Sequence, residues 1–307
     1  MGPDRVVIGT RGSALALWQA DHVADLLRAA HPGLVVERTI IVTTGDRTPH
    51  GPVWEAGGKA VWVKEIEAAL LASEIDLAVH SLKDVPTELA PGLDLAAIPA
   101  RADVRDALVS HDGAALVDLP RGARVGTTSL RRICQVKALR SDLRLEPLRG
   151  NLDTRLRKVA DGLVDAAILA CAGLDRLGLS QHVAERIPVE RMLPAIGQGA
   201  LAIEIRTADE PMRLLCRPLA SEEAEVTVAA ERALLHRLGA GCRTPVAGIA
   251  RVQHGKLEVS GLVGRPDGTN MLFEHVTGPP STAAALGRAL AEALLARGAD
   301  RILAEFG

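Results

Sequence analysis

The sequence predicts an α/β fold in which two doubly wound, mainly parallel domains are followed by a third, α+β domain. Three observations carry this. At 307 residues the chain is longer than one hydrophobic core usually serves. Over its first two thirds, short apolar runs alternate with segments of helical spacing, the rhythm of βαβ units. The tail then changes to three strand-like runs before a single helix.

The apolar run Arg5–Gly9 reads as a buried strand. Leu17, Val23, Leu26 and Leu27 make Ser13–Ala30 a helix, stopped by His31-Pro32-Gly33. Val35–Thr43 is a strand, Lys59–Ser73 a helix, and Ile75–Val79 a strand that runs into His80-Ser81-Leu82-Lys83-Asp84-Val85-Pro86. The rhythm restarts after Pro99-Ala100-Arg101. Ala107–Ser110 and Arg124–Gly126 are strands, Ser129–Arg140 a helix, Leu143–Leu148 a strand, Leu152–Asp161 a helix and Ala166–Ala170 a strand. Beyond the Met192-Leu193-Pro194 break, Ala200–Ile205 is expected to return to the first sheet. Glu222–Leu238 is a long helix. Val246–Gln253, Lys256–Val263 and Met271–Thr277 are expected to form an antiparallel sheet covered by the helix Ala283–Arg297. The expected domains are 1–99 with 200–217, 100–199, and 218–307. Two crossings between the first two suggest a hinged cleft, with ligands at the carboxyl ends of the strands.

Composition narrows the function. The chain is 48% hydrophobic and 24% charged, which excludes a disordered or fibrous protein. Aromatic residues are 2% and tyrosine is absent, so a base-stacking surface for nucleic acid is hard to build. No apolar run approaches the ~20 residues of a membrane span, and the N-terminus shows no signal peptide. Four cysteines lie scattered, without the spacing of a zinc site or a disulfide framework. A soluble, cytoplasmic protein with reduced thiols and no metal is the expectation. The formal charge of −2 hides an asymmetry: residues 121–158 hold eleven basic and three acidic side chains, net +8, leaving −10 elsewhere.

Four segments carry candidate chemistry. Thr10-Arg11-Gly12-Ser13 joins a strand to a helix; Ser13 can cap that helix and Arg11 offers a fork to a carboxylate. Residues 124–132 repeat the design, with Thr127 and Ser129 in the turn and Arg131 and Arg132 opening the helix. Arg149 follows a strand end and Arg155 lies one turn into the next helix, so this basic cluster reads as an anion site. Asp84 sits beyond a strand end beside Lys83, where a carboxylate can stabilise a forming cation and carry a proton. His80 reads as structural. Cys242, among small residues and followed by Arg243, is the cysteine whose setting favours reactivity; Cys134, Cys171 and Cys216 read as core.

Together these segments resemble the porphobilinogen deaminase (hydroxymethylbilane synthase) family over essentially the whole chain. The resemblance runs through Ile8–Gln19, Gly57–Glu67, Asp76–Pro86, Val125–Gln135, Leu148–Arg155, Ile168–Gly178, Leu193–Ala200 and Glu231–Pro245. It implies two domains like those of periplasmic binding proteins and a third that carries the cofactor cysteine. It implies a transferase of heme and tetrapyrrole biosynthesis that condenses four porphobilinogen molecules head to tail, with loss of ammonia, into linear hydroxymethylbilane. The implied cofactor is a dipyrromethane on a thioether to Cys242, and the implied catalytic residue is Asp84. Lys83, Ser129, Arg131, Arg132, Thr127 and Ser81 match cofactor-binding positions. Arg11, Ser13, Lys59, Arg149, Arg155, Arg176 and Gln198 match substrate-binding positions. A monomer with no nucleic-acid or membrane partner is the family expectation. Two residues depart from the family pattern: Glu55 stands where Lys is usual and Trp62 where Phe is usual. A solute receptor of the same architecture is the competing reading; it leaves the Cys242 loop and the third domain without purpose. A weaker one, RNA binding by residues 121–158, lacks aromatic platforms.

Overall fold

Strands β1 (Arg5–Thr10), β2 (Val35–Ile40), β3 (Leu77–Ser81), β4 (Leu93–Ala97), β5 (Asp106–Ser110), β6 (Arg124–Gly126), β7 (Arg144–Glu146), β8 (Ala166–Ala170), β9 (Glu185–Ile187), β10 (Leu201–Arg206), β11 (Val246–Gln253), β12 (Lys256–Val263) and β13 (Leu272–Gly278) form three sheets. The structure, a computed structural model, describes residues 3–47, 62–241 and 244–306. The chain divides into two compact units, Met1–Ala102 with Ala200–Glu225, and Asp103–Gly199 with Val226–Gly307.

In the first unit the sheet order is β2-β1-β3-β10-β4. β1 runs parallel to β2 and β3, and β10 runs antiparallel to β3 and β4. The strand at 201–206 therefore does return to the first sheet. Helix α1 (Ala14–Ala30) buries Ala20, Val23 and Leu27 against Val6, Ile8, Leu77 and Ile203. After it come α2 (Thr44–Arg47) and α3 (Lys64–Leu71), which buries Ile66 and Leu70 beside Ile75 and Ala78. Because β1 and β3 are parallel neighbours, their carboxyl ends open on one edge. That brings the turn at 11–13 beside the turn at 82–84.

The second unit repeats the pattern as β7-β6-β8-β5-β9. β6 is parallel to β7 and β8, and β5 is antiparallel to β8 and β9. Antiparallel pairing sets Asp106, the first residue of β5, opposite Ala170, the last of β8. Asp106 thus stands at the carboxyl edge, where α4 (Leu130–Leu139), α5 (Leu152–Ala160) and α6 (Cys171–Arg176) begin. The third sheet, β11-β12-β13, is antiparallel throughout. Its Val259 and Val263 pack with Leu234, Leu290 and Leu294. Helix α7 (Glu210–Cys216) follows β10, and α8 (Glu222–Arg237) and α9 (Ala283–Ala296) follow in the tail. A Cβ on Gly287 would lie 2.1 Å from the Ala230 carbonyl, so glycine there lets α9 approach α8 closely.

Boundaries moved where pairing overrides local pattern. The strand expected at 35–43 ends at Ile40, because Ile41–Thr43 turn into α2. The strand expected at 75–79 is shifted to Leu77–Ser81 by its pairing with Leu201–Glu204. The short strands β4 and β9, and helices α6 and α7, span only three to seven residues, too few for a hydrophobic period to be read from the chain.

Candidate functional site

In the first unit, the turn after β1 is built as its residues require. Ser13 precedes α1 with extended backbone, and its Oγ accepts from the Ala16 N–H at 3.3 Å. The Arg11 fork is held by Asp46, with Nε at 3.2 Å from both carboxylate oxygens. The same guanidinium lies 4.0 Å from the centroid of the Trp62 ring, a cation–π contact. Asp46 is further fixed by the Thr43 hydroxyl at 2.8 Å. Burial opposes ionisation of Asp46, yet the Arg11 and Thr43 hydrogen bonds hold its carboxyl below the usual range.

The turn after β3 presents Ser81, Lys83 and Asp84. The Leu82 N–H donates to the Ala200 carbonyl at 3.1 Å and the Val85 N–H to the Leu82 carbonyl at 3.0 Å, closing one short helical turn. Gln19, buried on α1, donates to the Ser81 hydroxyl at 2.8 Å. His80 is buried with Nε2 at 3.0 Å from Glu204, as its structural reading requires. Arg11, Ser13, Gln19, Trp62, His80, Ser81 and Asp84 line a common cavity. A carboxylate, hydroxyls and a guanidinium thus share one concave site.

In the second unit, Thr127 is buried after β6; its Oγ1 accepts from the Ser129 N–H at 3.2 Å. Ser129 stands at the N-terminus of α4, where its side chain makes no capping bond. Arg131 and Arg132 are buried rather than surface forks, and both turn onto Asp106, which is fully buried. Arg131 Nη1 lies 2.6 Å from Asp106 Oδ2 and Nη2 3.2 Å from Oδ1. Arg132 Nη2 and Nε lie 2.7 and 3.1 Å from Oδ1. Gln198 Nε2 reaches the same oxygen at 3.0 Å. Burial alone would raise the Asp106 carboxyl; the charges and hydrogen bonds of the two arginines overrule it and hold it far below the usual range. Burial also lowers Arg132, against the pull of Asp106.

Arg149 lies in the loop between β7 and α5, Arg155 in the first turn of α5 and Arg176 at the end of α6. Gly150, at φ 113°, turns the chain between Arg149 and Asn151, which caps α5 through the Thr154 N–H. Arg155 Nε donates to the Gly150 carbonyl at 2.8 Å, and both Arg149 and Arg155 are half-buried. Arg176 donates to the Gly199 carbonyl at 2.8 Å, and burial lowers it to about 10, so it stays charged at neutral pH. Cys134, Cys171 and Cys216 are buried, and desolvation pushes each thiol up to about 12. They are core residues, as read. Lys59, Glu55, Cys242 and Arg243 lie outside the described residues.

Sequence reading missed Asp106, Gln19 and Asp46. The only signal for Asp106 was an acidic residue at the head of an apolar run.

Residues 6–214 match the family model described as porphobilinogen deaminase, dipyromethane cofactor binding domain. Residues 226–296 match the porphobilinogen deaminase C-terminal domain. The chain belongs to the porphobilinogen deaminase family. It is 50% identical over 304 residues to the porphobilinogen deaminase of Syntrophotalea carbinolica, covering 99% of this chain and 96% of that one. It is 48% identical over 305 residues to that of Geobacter metallireducens, again covering 99% and 96%. Among solved structures it is similar to the L-cystine solute receptor of Neisseria gonorrhoeae, at TM-score 0.40 and 16% identity, covering 78% of this chain and 94% of that one. It is likewise similar to the Bordetella pertussis BvgS VFT2 domain, at TM-score 0.42 and 14% identity, covering 70% and 86%.

The porphobilinogen deaminase family's dipyrromethane cofactor fits the residues present. Two buried guanidiniums share the single carboxylate of Asp106, and Arg131 Nε–H is buried without an acceptor among the described residues. A carboxylate-bearing ligand supplies the acceptor and the negative charge that this arrangement lacks. Among the described residues no His/Cys/Asp/Glu group suited to a metal is present, and no helix is long and apolar enough to cross a membrane.

Proposed function

We propose that the chain performs the hydroxymethylbilane synthase reaction: four porphobilinogen molecules are joined head to tail, each losing ammonia, to give a linear tetrapyrrole. The observation that supports it best is Asp84 in a cavity with Arg11, Ser13 and Ser81, in a chain of this family. Loss of ammonia from the aminomethyl group breaks a C–N bond and leaves an azafulvenium cation. Asp84 stabilises that cation electrostatically and takes up the pyrrole proton released once the new C–C bond has formed. The dipyrromethane, when bound, supplies the pyrrole carbon that the first incoming ring alkylates.

In this proposal Cys242 holds the dipyrromethane as a thioether. Lys83, Ser81, Thr127, Ser129, Arg131 and Arg132 bind its carboxylates. Arg11, Ser13, Lys59, Arg149, Arg155, Arg176 and Gln198 bind those of substrate and growing chain, with the Arg-rich segment 121–158 as the polyanion cradle. The three-domain division, with 1–99 and 200–217, 100–199, and 218–307, belongs to the same proposal, as do a cytoplasmic location and a monomeric state. Intact-protein mass tests it. Protein refolded with porphobilinogen is expected to exceed the sequence mass by a two-pyrrole adduct, and Cys242→Ser to lack it. An unmodified mass in the parent protein would sink the reading.

A further inference from the structure

Among the buried charged groups, Asp106 has the most partners in the candidate site. Its two oxygens accept five hydrogen bonds from three side chains, those of Arg131, Arg132 and Gln198. It reaches them because β5 runs antiparallel to β8, which puts the first residue of β5 at the edge where α4 begins. The outer nitrogens of both forks are then closed by backbone: Arg131 Nη1 donates to the Leu193 carbonyl at 2.8 Å and Arg132 Nη1 to the Ile168 carbonyl at 2.8 Å. Each guanidinium is thus held between Asp106 and a backbone carbonyl, and Arg131 Nε–H is left buried with no acceptor among the described residues.

We propose that Asp106 is a positioning residue for the dipyrromethane site, aligning the Arg131 and Arg132 forks so that a ligand carboxylate meets preset donors. This rests on the function proposed above. An aligned pair costs no rearrangement when the anion arrives, whereas two flexible arginines pay that cost at binding. The charge count agrees: one carboxylate on two guanidiniums leaves one positive charge for the ligand to neutralise.

Full-length parent protein, Asp106→Glu and Asp106→Asn are refolded with increasing porphobilinogen and weighed intact, with thermal melting as the folding control. Asp106→Glu keeps the charge but carries the carboxylate one methylene further, so a purely charge-balancing residue tolerates it. The expected result is a folded protein that needs at least about tenfold more porphobilinogen for half-maximal adduct formation. Asp106→Asn should load no better than Asp106→Glu. Loading of Asp106→Glu at the parent concentration overturns the inference, as does lost kcat with unchanged loading. Failure of both variants to fold overturns it too, since Asp106 would then serve the unit's stability alone. Absence of the adduct in the parent protein is a different result, and it counts against the proposed function.

Discussion

His80 Nε2 lies 3.0 Å from Glu204 Oε2, and both side chains are buried in the sheet of the first unit. The contact crosses from β3 to β10, where His80 pairs with Ala202, and it fixes the residue immediately before Ser81. Glu67 on α3 completes a buried titratable cluster, its carboxyl pushed up by burial and by the charge of Glu204. His80→Leu would leave Glu204 without this partner, a loss of about 1–3 kcal/mol in stability. Urea unfolding of the two proteins measures it; equal midpoints would show that the pair contributes nothing.

Asp84→Asn keeps the shape of the side chain but removes its charge and its capacity to take a proton. Turnover is expected to fall by about 10²–10⁴-fold with thermal stability unchanged. Steady-state rates on loaded protein check this, and near-normal turnover would remove Asp84 from the reaction.

For Arg149→Leu the expected change is in elongation. Arg149 is half-buried in the loop between β7 and α5, so its loss should change stability by less than about 1 kcal/mol. Intact mass under limiting porphobilinogen should then show enzyme stalled with short pyrrole chains. A parent-like ladder of intermediates would show that Arg149 lies outside the cradle.

Acid should destabilise the fold in a defined window. Asp106 has a folded pKa far below its unfolded value of about 3.9, so it binds its proton more readily when unfolded. Its stabilisation is complete above about pH 5 and is lost as the pH falls from there through the folded value. Asp142, held at about 2 by its hydrogen bond from Arg140, adds in the same direction. Urea midpoints are therefore expected to fall below pH 4; a constant midpoint down to pH 2.5 would contradict the buried pairing.

Much of the fold was legible because burial leaves a local mark. Ala166–Ala170 is an uninterrupted apolar run and is a strand over those same residues. Ser13 before a helical periodicity is a cap, and it caps. Asp84 and Arg149 could be singled out because they follow strand ends, where this architecture gathers ligands. Arg131 and Arg132 were legible as an anion site in composition only; their burial and common partner were not. A strand of three residues, such as Glu185–Ile187, carries no period to read, and its pairing with Asp106, Ala107 and Leu108 defines it.

The amino-acid sequence by itself determined the α/β class, the family, the antiparallel tail and the candidate residues. Each of these rests on patterns spanning a few neighbours or on long motifs. Only the tertiary structure decided that Asp106 collects Arg131, Arg132 and Gln198, that Asp46 and Trp62 hold Arg11, and that Glu204 meets His80. The reason is that strand order, not spacing along the chain, sets which residues share an edge. In both units one strand runs antiparallel to its neighbours, and it delivers a buried carboxylate, Asp106 on β5 and Glu204 on β10, to partners far away in sequence.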